Sequence, residues 1–343
     1  HLLIRAKTET GYGECLCSTP ALRLVIRERA GRYHLAVWPT TGHRHATACA
    51  FYRVDDAYSG RRFGGVATSD GAISVRLDRP LSLAVQGKPT EHSDGRSRRS
   101  ASSTNATAGS GRVTLLGLLH LIWEEATLNT WNPAARRGWD ILRDHLIDAL
   151  ATVNVDGVDL DTSCHLPPRD VSTDADKTLN DAAYRVFRSG LGNDGRTERF
   201  GLVLDEIRSV EPATSEHDLH VSLVHLADPL QGTPQLEARL RGSYKRAFAA
   251  VEHKIGRQFA LCLVKRRDNR SVALLDMAVM VTNSEAIPVD SSYELAMADH
   301  IVASRRTVFK PLRYDRKEAV LPDFLLTDTD PATYVEVYGM THA

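Results

Sequence analysis

Two groups of residues have the types and spacing to do chemistry. The first is Cys15-Leu16-Cys17 with His45-x-x-x-Cys49. Three soft sulfurs and an imidazole are the donor set and count of a closed tetrahedral zinc site. His43 competes with His45 as the nitrogen donor, and His34 is a more distant one. A single residue between Cys15 and Cys17 would send their side chains to opposite faces of a strand, so they converge only if the chain turns between Cys15 and Ser18. Four filled positions leave no open coordination site, and the expected role is a structural staple for a small unit with little core. The bland alternative is a set of small buried cysteines beside surface histidines.

The second group is Asp323 and Glu336, on two short strands separated by a bend. With Thr329-Asp330-Pro331-Ala332 as the turn, Leu326 pairs with Val335, Leu325 with Glu336, Phe324 with Val337 and Asp323 with Tyr338, because antiparallel partners have a constant summed position. One face then carries Phe324, Leu326, Val335 and Val337; the other carries Asp323, Leu325, Glu336 and Tyr338. The two acids become diagonal neighbours with Cβ atoms roughly 6 to 8 Å apart, close enough to share one Mg2+. Such an ion would activate a water and stabilise charge developing on a phosphodiester. The alternative is an ordinary edge ribbon with two exposed acids.

The elements that must position these groups can be read from periodicity. Residues 1–87 contain β-type runs at Leu22 to Arg27, Tyr33 to Val37 and Ala72 to Leu77, broken by Gly, Pro and Thr clusters. Residues 88–111 are rich in Ser, Thr, Gly and Arg and form a flexible linker. Val113 to Leu128 places Leu115, Leu119, Ile122 and Ala126 at helical spacing, and Asn132-Pro133 is expected to cap a second helix carrying Trp139, Leu142, Leu146 and Ala149. The three tryptophans of this hairpin, Trp123, Trp131 and Trp139, read as core rather than as a binding face. Strands follow at 200–210 and 217–226, then a helix at 234–253, then strands at 258–266 and 271–282. Ser291-Ser292-Tyr293-Glu294 has capping-box spacing and opens a helix to about Val308. Glu294 is expected to serve that cap.

The fold class is therefore α+β and multidomain. The expected order is a β-rich zinc unit at 1–87, the linker at 88–111, a helical region at 112–195, an α+β domain at 196–283 and a final segment at 284–343. At 343 residues with 42% hydrophobic residues the chain can bury a substantial core. Lys plus Arg and Asp plus Glu each number 43, so any nucleic-acid site must be a local patch. Arg96, Arg98 and Arg99 in the linker and Lys265-Arg266-Arg267 in a turn are candidate phosphate contacts of low specificity. The most apolar stretch, Val272 to Val281, is interrupted by Asp276 and reads as a buried strand, so no membrane partner is expected. Five cysteines, three of them near histidines, suit a reduced cytoplasmic interior. No phosphate loop, dinucleotide fingerprint or nucleophile elbow is present.

Two resemblances add to this reading. Pro322-Asp323 followed by Glu336 on the next strand resembles the PD-(D/E)XK, restriction-endonuclease-like nucleases. That resemblance implies a C-terminal α/β core, here incomplete, with catalytic Asp323 and Glu336 and a further acid, Glu294, on the preceding helix. Tyr338 stands where the pattern has lysine and cannot supply its charge; Lys310 and Lys317 are weaker substitutes, and the segment is expected to be truncated before a helix that could provide the cation. Over most of the chain, the Cys-Leu-Cys opening, Trp38-Pro39-x-x-Gly42 running into His45-x-x-x-Cys49, and Leu118 to Trp131 resemble the bacterial family catalogued as domain of unknown function 1173. Ile287-Pro288-Val289, Phe309 to Tyr314 and Leu325 to Thr329 are similar to it as well. The resemblance implies a mobile-element setting, with DNA and other mobile-element proteins as partners. Two functions follow as expectations: a divalent-metal nuclease, or a zinc-stapled accessory factor that binds DNA or protein without catalysis.

Overall fold

The computed structural model describes residues 2–29, 32–38, 41–46, 49, 51, 66–67, 72–84, 112–193, 197–214, 218–267, 271–312 and 322–338. The expected linker at 88–111, with Arg96, Arg98 and Arg99, lies outside them, as does Lys317.

The N-terminal unit is a helix α1 (Leu2–Glu9) over three antiparallel strands, β1 (Tyr12–Cys15), β2 (Leu22–Arg29) and β3 (Arg32–Val37). Leu22, Leu24 and Ile26 alternate onto one buried face of β2, as the period of two requires. On the opposite face Arg27 reaches out of the unit, and its guanidinium donates to the carbonyl of Asp148 at 3.3 Å. Burial lowers the Arg27 pKa, against the opposing pull of Glu125 and Asp148.

Helices α2 (Leu115–Glu125) and α3 (Trp139–Leu150) pack together over the central sheet. Thr114 caps α2 by accepting from the Gly117 N–H. Trp123 is fully buried, packs 4.7 Å from Phe259, and donates its indole N–H to the Ala286 carbonyl at 2.9 Å. The expected cap at Asn132-Pro133 is a correction: α3 begins only at Trp139, after Gly138. Thr130–Trp131 is a short strand paired with Val308–Phe309, so the next residues leave a sheet rather than enter a helix; Asn132 instead accepts from Ala134 in a local turn. The strands also cross the expected domain limits. Ile73–Leu77 pairs in parallel with Val153–Val155, and Ser82–Ala84 pairs with Thr197–Arg199.

Helix α4 (Asp174–Ser189) lies within the region expected to be helical at 112–195; its composition is polar, and its start is set by the capping box in which Thr173 and Asp176 exchange hydrogen bonds. It covers one face of a mixed sheet whose long strands are β4 (Gly201–Glu211), β5 (Leu219–Leu223), β6 (Arg257–Arg266) and β7 (Val272–Thr282). Alternate residues serve opposite cores. Leu202, Leu204, Leu261 and Leu263 face α2, while Val203, Ile207, Ala260 and Val264 face the helices α5 (Pro234–Ser243) and α6 (Lys245–His253). Both faces are buried, which explains why these strands read as continuous apolar runs. The single helix expected over 234–253 breaks at Tyr244, and the break lets Ala247, Phe248 and Ala250 of α6 turn onto the sheet.

Helix α7 (Ser292–Ala303) opens on Ser291, whose hydroxyl accepts from the Glu294 N–H as its spacing predicts. It packs on a small sheet in which β8 (Val308–Phe309), β9 (Phe324–Leu326) and β10 (Thr333–Val335) follow Thr130–Trp131. All pairings in this sheet are antiparallel. The hairpin register is corrected by two residues: Phe324 pairs with Val335, Leu325 with Tyr334 and Leu326 with Thr333. The cause is Asp328, drawn out of the ladder by both nitrogens of Arg306 at 2.8 Å and by the Thr307 N–H at 2.9 Å. A slip of two preserves the parity of each strand, so the division of faces survives.

The Arg306 guanidinium holds the Asp328 carboxyl down at about 2. A depressed carboxylate stabilises the fold above its unfolded pKa and loses that contribution as pH falls through the folded value. Wild type is therefore expected to lose stability between about pH 4 and pH 2 relative to Asp328→Asn, measured by denaturant titration at each pH. Parallel pH profiles for the two proteins would remove this role.

Candidate metal centre

The ladder of β1 ends at Cys15, opposite Leu22, and the chain turns at Leu16-Cys17. That turn brings both sulfurs to one side, as convergence demands. The second half of the site comes from a tight loop. Thr41 bonds back to the Trp38 carbonyl through both its amide and its hydroxyl, and a single 3-10 turn, Gly42–Arg44, then delivers His45. Cys49 follows, its amide returning to the Ala46 carbonyl at 2.8 Å.

The four donors meet. Cys15 Sγ lies 3.5 Å from Cys49 Sγ, His45 Nδ1 lies 3.3 Å from Cys17 Sγ and 3.7 Å from Cys49 Sγ, and all four ligand atoms fall within 4.8 Å of one another. Metal bonds of about 2.3 Å to sulfur and about 2.0 Å to nitrogen, at tetrahedral angles, require edges of roughly 3.8 Å and 3.6 Å. These three separations come within about 0.3 Å of those lengths, and no disulfide is formed. His45 is buried, while the three cysteines are half-buried. The side chains of His43 and His34 lie outside the described residues, and the cluster uses His45.

Backbone amides support the thiolate form. The Ala46 N–H points at Cys17 Sγ and the Phe51 N–H at Cys49 Sγ, each at 3.4 Å. The Ala46 bond lowers the Cys17 pKa. The Cys17 amide pulls Cys15 down in the same way, but burial and the neighbouring sulfurs outweigh it and push Cys15 up to about 11. Crowded sulfurs cannot all ionise without a cation among them, and a metal ion that the four donors could hold would displace their protons. Cys164 and Cys262 are buried elsewhere, each with its thiol pKa raised by burial, and take no part.

The acids of the terminal segment are differently engaged. Asp323 accepts the Val337 N–H at 2.7 Å. The β9–β10 ladder ends at the Phe324–Val335 pair, and Asp323 and Glu336 are the residues that follow it on the two sides. Glu294 lies buried against Lys310 at 2.6 Å and also accepts the Asp290 N–H at 3.1 Å. Lys310 is thus committed to an ion pair, and exposed Tyr338 occupies the lysine position. Among the described residues, the group of three or more His, Cys, Asp and Glu side chains that could hold a metal is the Cys15, Cys17, His45, Cys49 cluster. Trp123, Trp131 and Trp139 are all core residues, as expected. No helix is long and apolar enough to cross a membrane among the described residues.

The sequence reading missed one constellation. Asp205, fully buried in β4, meets His225 Nδ1 at 2.6 Å and accepts the His225 backbone N–H at 3.0 Å. An aspartate directly following the apolar run Phe200 to Leu204 was its available signal.

The family model described as protein of unknown function (DUF1173) matches residues 1–341, and the chain belongs to that family. No curated protein and no solved structure matches it.

Proposed function

We propose that this member of the DUF1173 family is a non-catalytic binding factor whose N-terminal unit is closed by a structural Zn2+ on Cys15, Cys17, His45 and Cys49. The observation that carries this reading is the convergence of four donors at tetrahedral edge lengths. Three thiolates and a neutral imidazole favour zinc over hard cations, and four protein ligands leave no position for substrate. The partner favoured is DNA. Residues 2–46 contain seven Lys or Arg against three Asp or Glu, in a chain whose charges balance as a whole, so the rest of the chain carries the compensating acidity. A basic module on a neutral protein is the electrostatic footprint of contacts to phosphates. Leu16, 83% exposed at the turn between the first two cysteines, would stand at the tip of that module.

A second reading, a Mg2+-dependent nuclease of a mobile element, is favoured by Asp323 and Glu336 flanking the last pair of the β9–β10 ladder, Phe324 with Val335. It lacks a free lysine in the expected place. One experiment separates the two readings. Protein purified without chelator is analysed for metal, then tested for binding and cleavage of duplex and single-stranded DNA with and without Mg2+. The binding-factor reading expects about one zinc per chain, salt-dependent DNA binding and no cleavage. Absence of zinc would overturn the staple, and Mg2+-dependent cleavage abolished by Asp323→Ala or Glu336→Ala in folded protein would overturn the non-catalytic assignment.

A further inference from the structure

The Asp205–His225 pair lies far from the metal cluster in sequence and joins three elements. Asp205 Oδ1 meets His225 Nδ1 at 2.6 Å and accepts the Glu206 N–H, while Oδ2 accepts the His225 backbone N–H. One face of the imidazole stacks on Trp139, the first residue of α3, at 3.8 Å and 21°. The other ring nitrogen, Nε2, looks at Asp170 Oδ1 across 3.6 Å. His225 is buried, its side chain 3% exposed, while that of Asp170 is 53% exposed and reaches solvent.

The chain around Asp170 is held for this meeting. Asn180 of α4, fully buried, accepts the Arg169 N–H and donates to the Arg169 carbonyl, both at 2.9 Å. Arg143 of α3 donates to the Pro167 carbonyl at 3.1 Å. The loop before α4 is thereby pinned just ahead of Asp170, at Pro167 and Arg169, with the Asp170 carboxylate 3.6 Å from the imidazole.

We propose that Asp205, His225 and Asp170 form a proton-operated latch fastening the loop before α4 to the central sheet. Asp205 orients the ring by accepting its Nδ1–H, which leaves Nε2 as the site that gains or loses a proton. With Nε2 protonated, a cation faces Asp170 and the latch is closed. With Nε2 deprotonated, a lone pair faces a carboxylate and the fastening is lost. The other charged groups around the imidazole do not replace it. Glu206 is paired with Arg257 at 2.7 Å, Arg208 donates to the Val224 carbonyl, Arg143 is spent on Pro167, and Asp228 and Arg169 lie on the flanking loops.

Hydrogen exchange of the peptide spanning residues 166–180, normalised to intrinsic rates, tests the latch in the full chain. Raising pH from about 5.5 to about 8.5 is expected to lower its protection about fivefold, the worth of a strong half-exposed ion pair. Asp170→Asn, at a solvent-facing position, is expected to abolish this difference and leave protection of β4 and β6 unchanged, while Asp170→Glu restores a pH response. Wild-type protection that does not change with pH, or a full response persisting in Asp170→Asn, would overturn the proposal.

Discussion

Glu294→Ala is expected to destabilise the protein by about 3 kcal/mol, the lower part of the range for removing one partner of a buried ion pair. Glu294 is 7% exposed and Lys310 3% exposed, with Nζ 2.6 Å from Oε2 and 5.0 Å above the Phe324 ring. Removing the carboxylate leaves an ammonium in a low-dielectric site, where the nearest remaining acid, Asp290, is 3.7 Å away and largely solvated. The Asp290 N–H also loses its acceptor. Glu294→Leu combined with Lys310→Met is expected to recover most of the loss, since apolar replacement of both partners removes the desolvation problem. Denaturant unfolding of the single and double variants measures this. A loss below about 1 kcal/mol in Glu294→Ala would mean that the pair is not the structural contact described here.

Cys17→Ser is expected to weaken zinc binding by at least about 100-fold, because four ligands share a total of about 10–16 kcal/mol and one share is several kcal/mol. Chelation of the wild-type protein is expected to have a larger structural effect. The three strands β1 to β3 and the loop carrying His45 and Cys49 have a small core of their own, and metal-free protein should be cut by protease between Cys15 and Cys49 while residues 112–312 resist. Binding should also release protons and weaken as pH falls, since a thiol such as Cys15, pushed up to about 11 without metal, must ionise to bind. An unchanged digestion pattern after verified metal removal would show that the N-terminal unit stands without its staple.

The donor set was legible in the sequence because residue type is itself the chemistry: Cys and His at two paired spacings name a soft-metal site before any geometry is known. The long strands β6 and β7 were legible as apolar runs and the helix α2 by its 3.6-residue period, each sustained over ten or more residues. Other features were set by contacts that local patterning does not contain. Helix α4 presents an unremarkable polar sequence and is fixed by its cap and by Asn180 at the loop before it. The terminal hairpin turns over a longer loop than its Asp-Pro dipeptide suggested, because Arg306, on another segment, captures Asp328.

The sequence by itself determined the α+β character, the four metal donors and the alternation that divides the terminal hairpin into an apolar and an acidic face. Those properties follow from side-chain chemistry and from periods of two and 3.6 residues, which act within one element. The tertiary structure decided the rest: that Cys15 and Cys17 turn to the same side, that Glu294 is spent on Lys310, and that residues 170, 205 and 225 meet at all. Those outcomes depend on charges and sulfurs finding partners far away in the chain, and the free energy of such pairings exists only once the elements have packed.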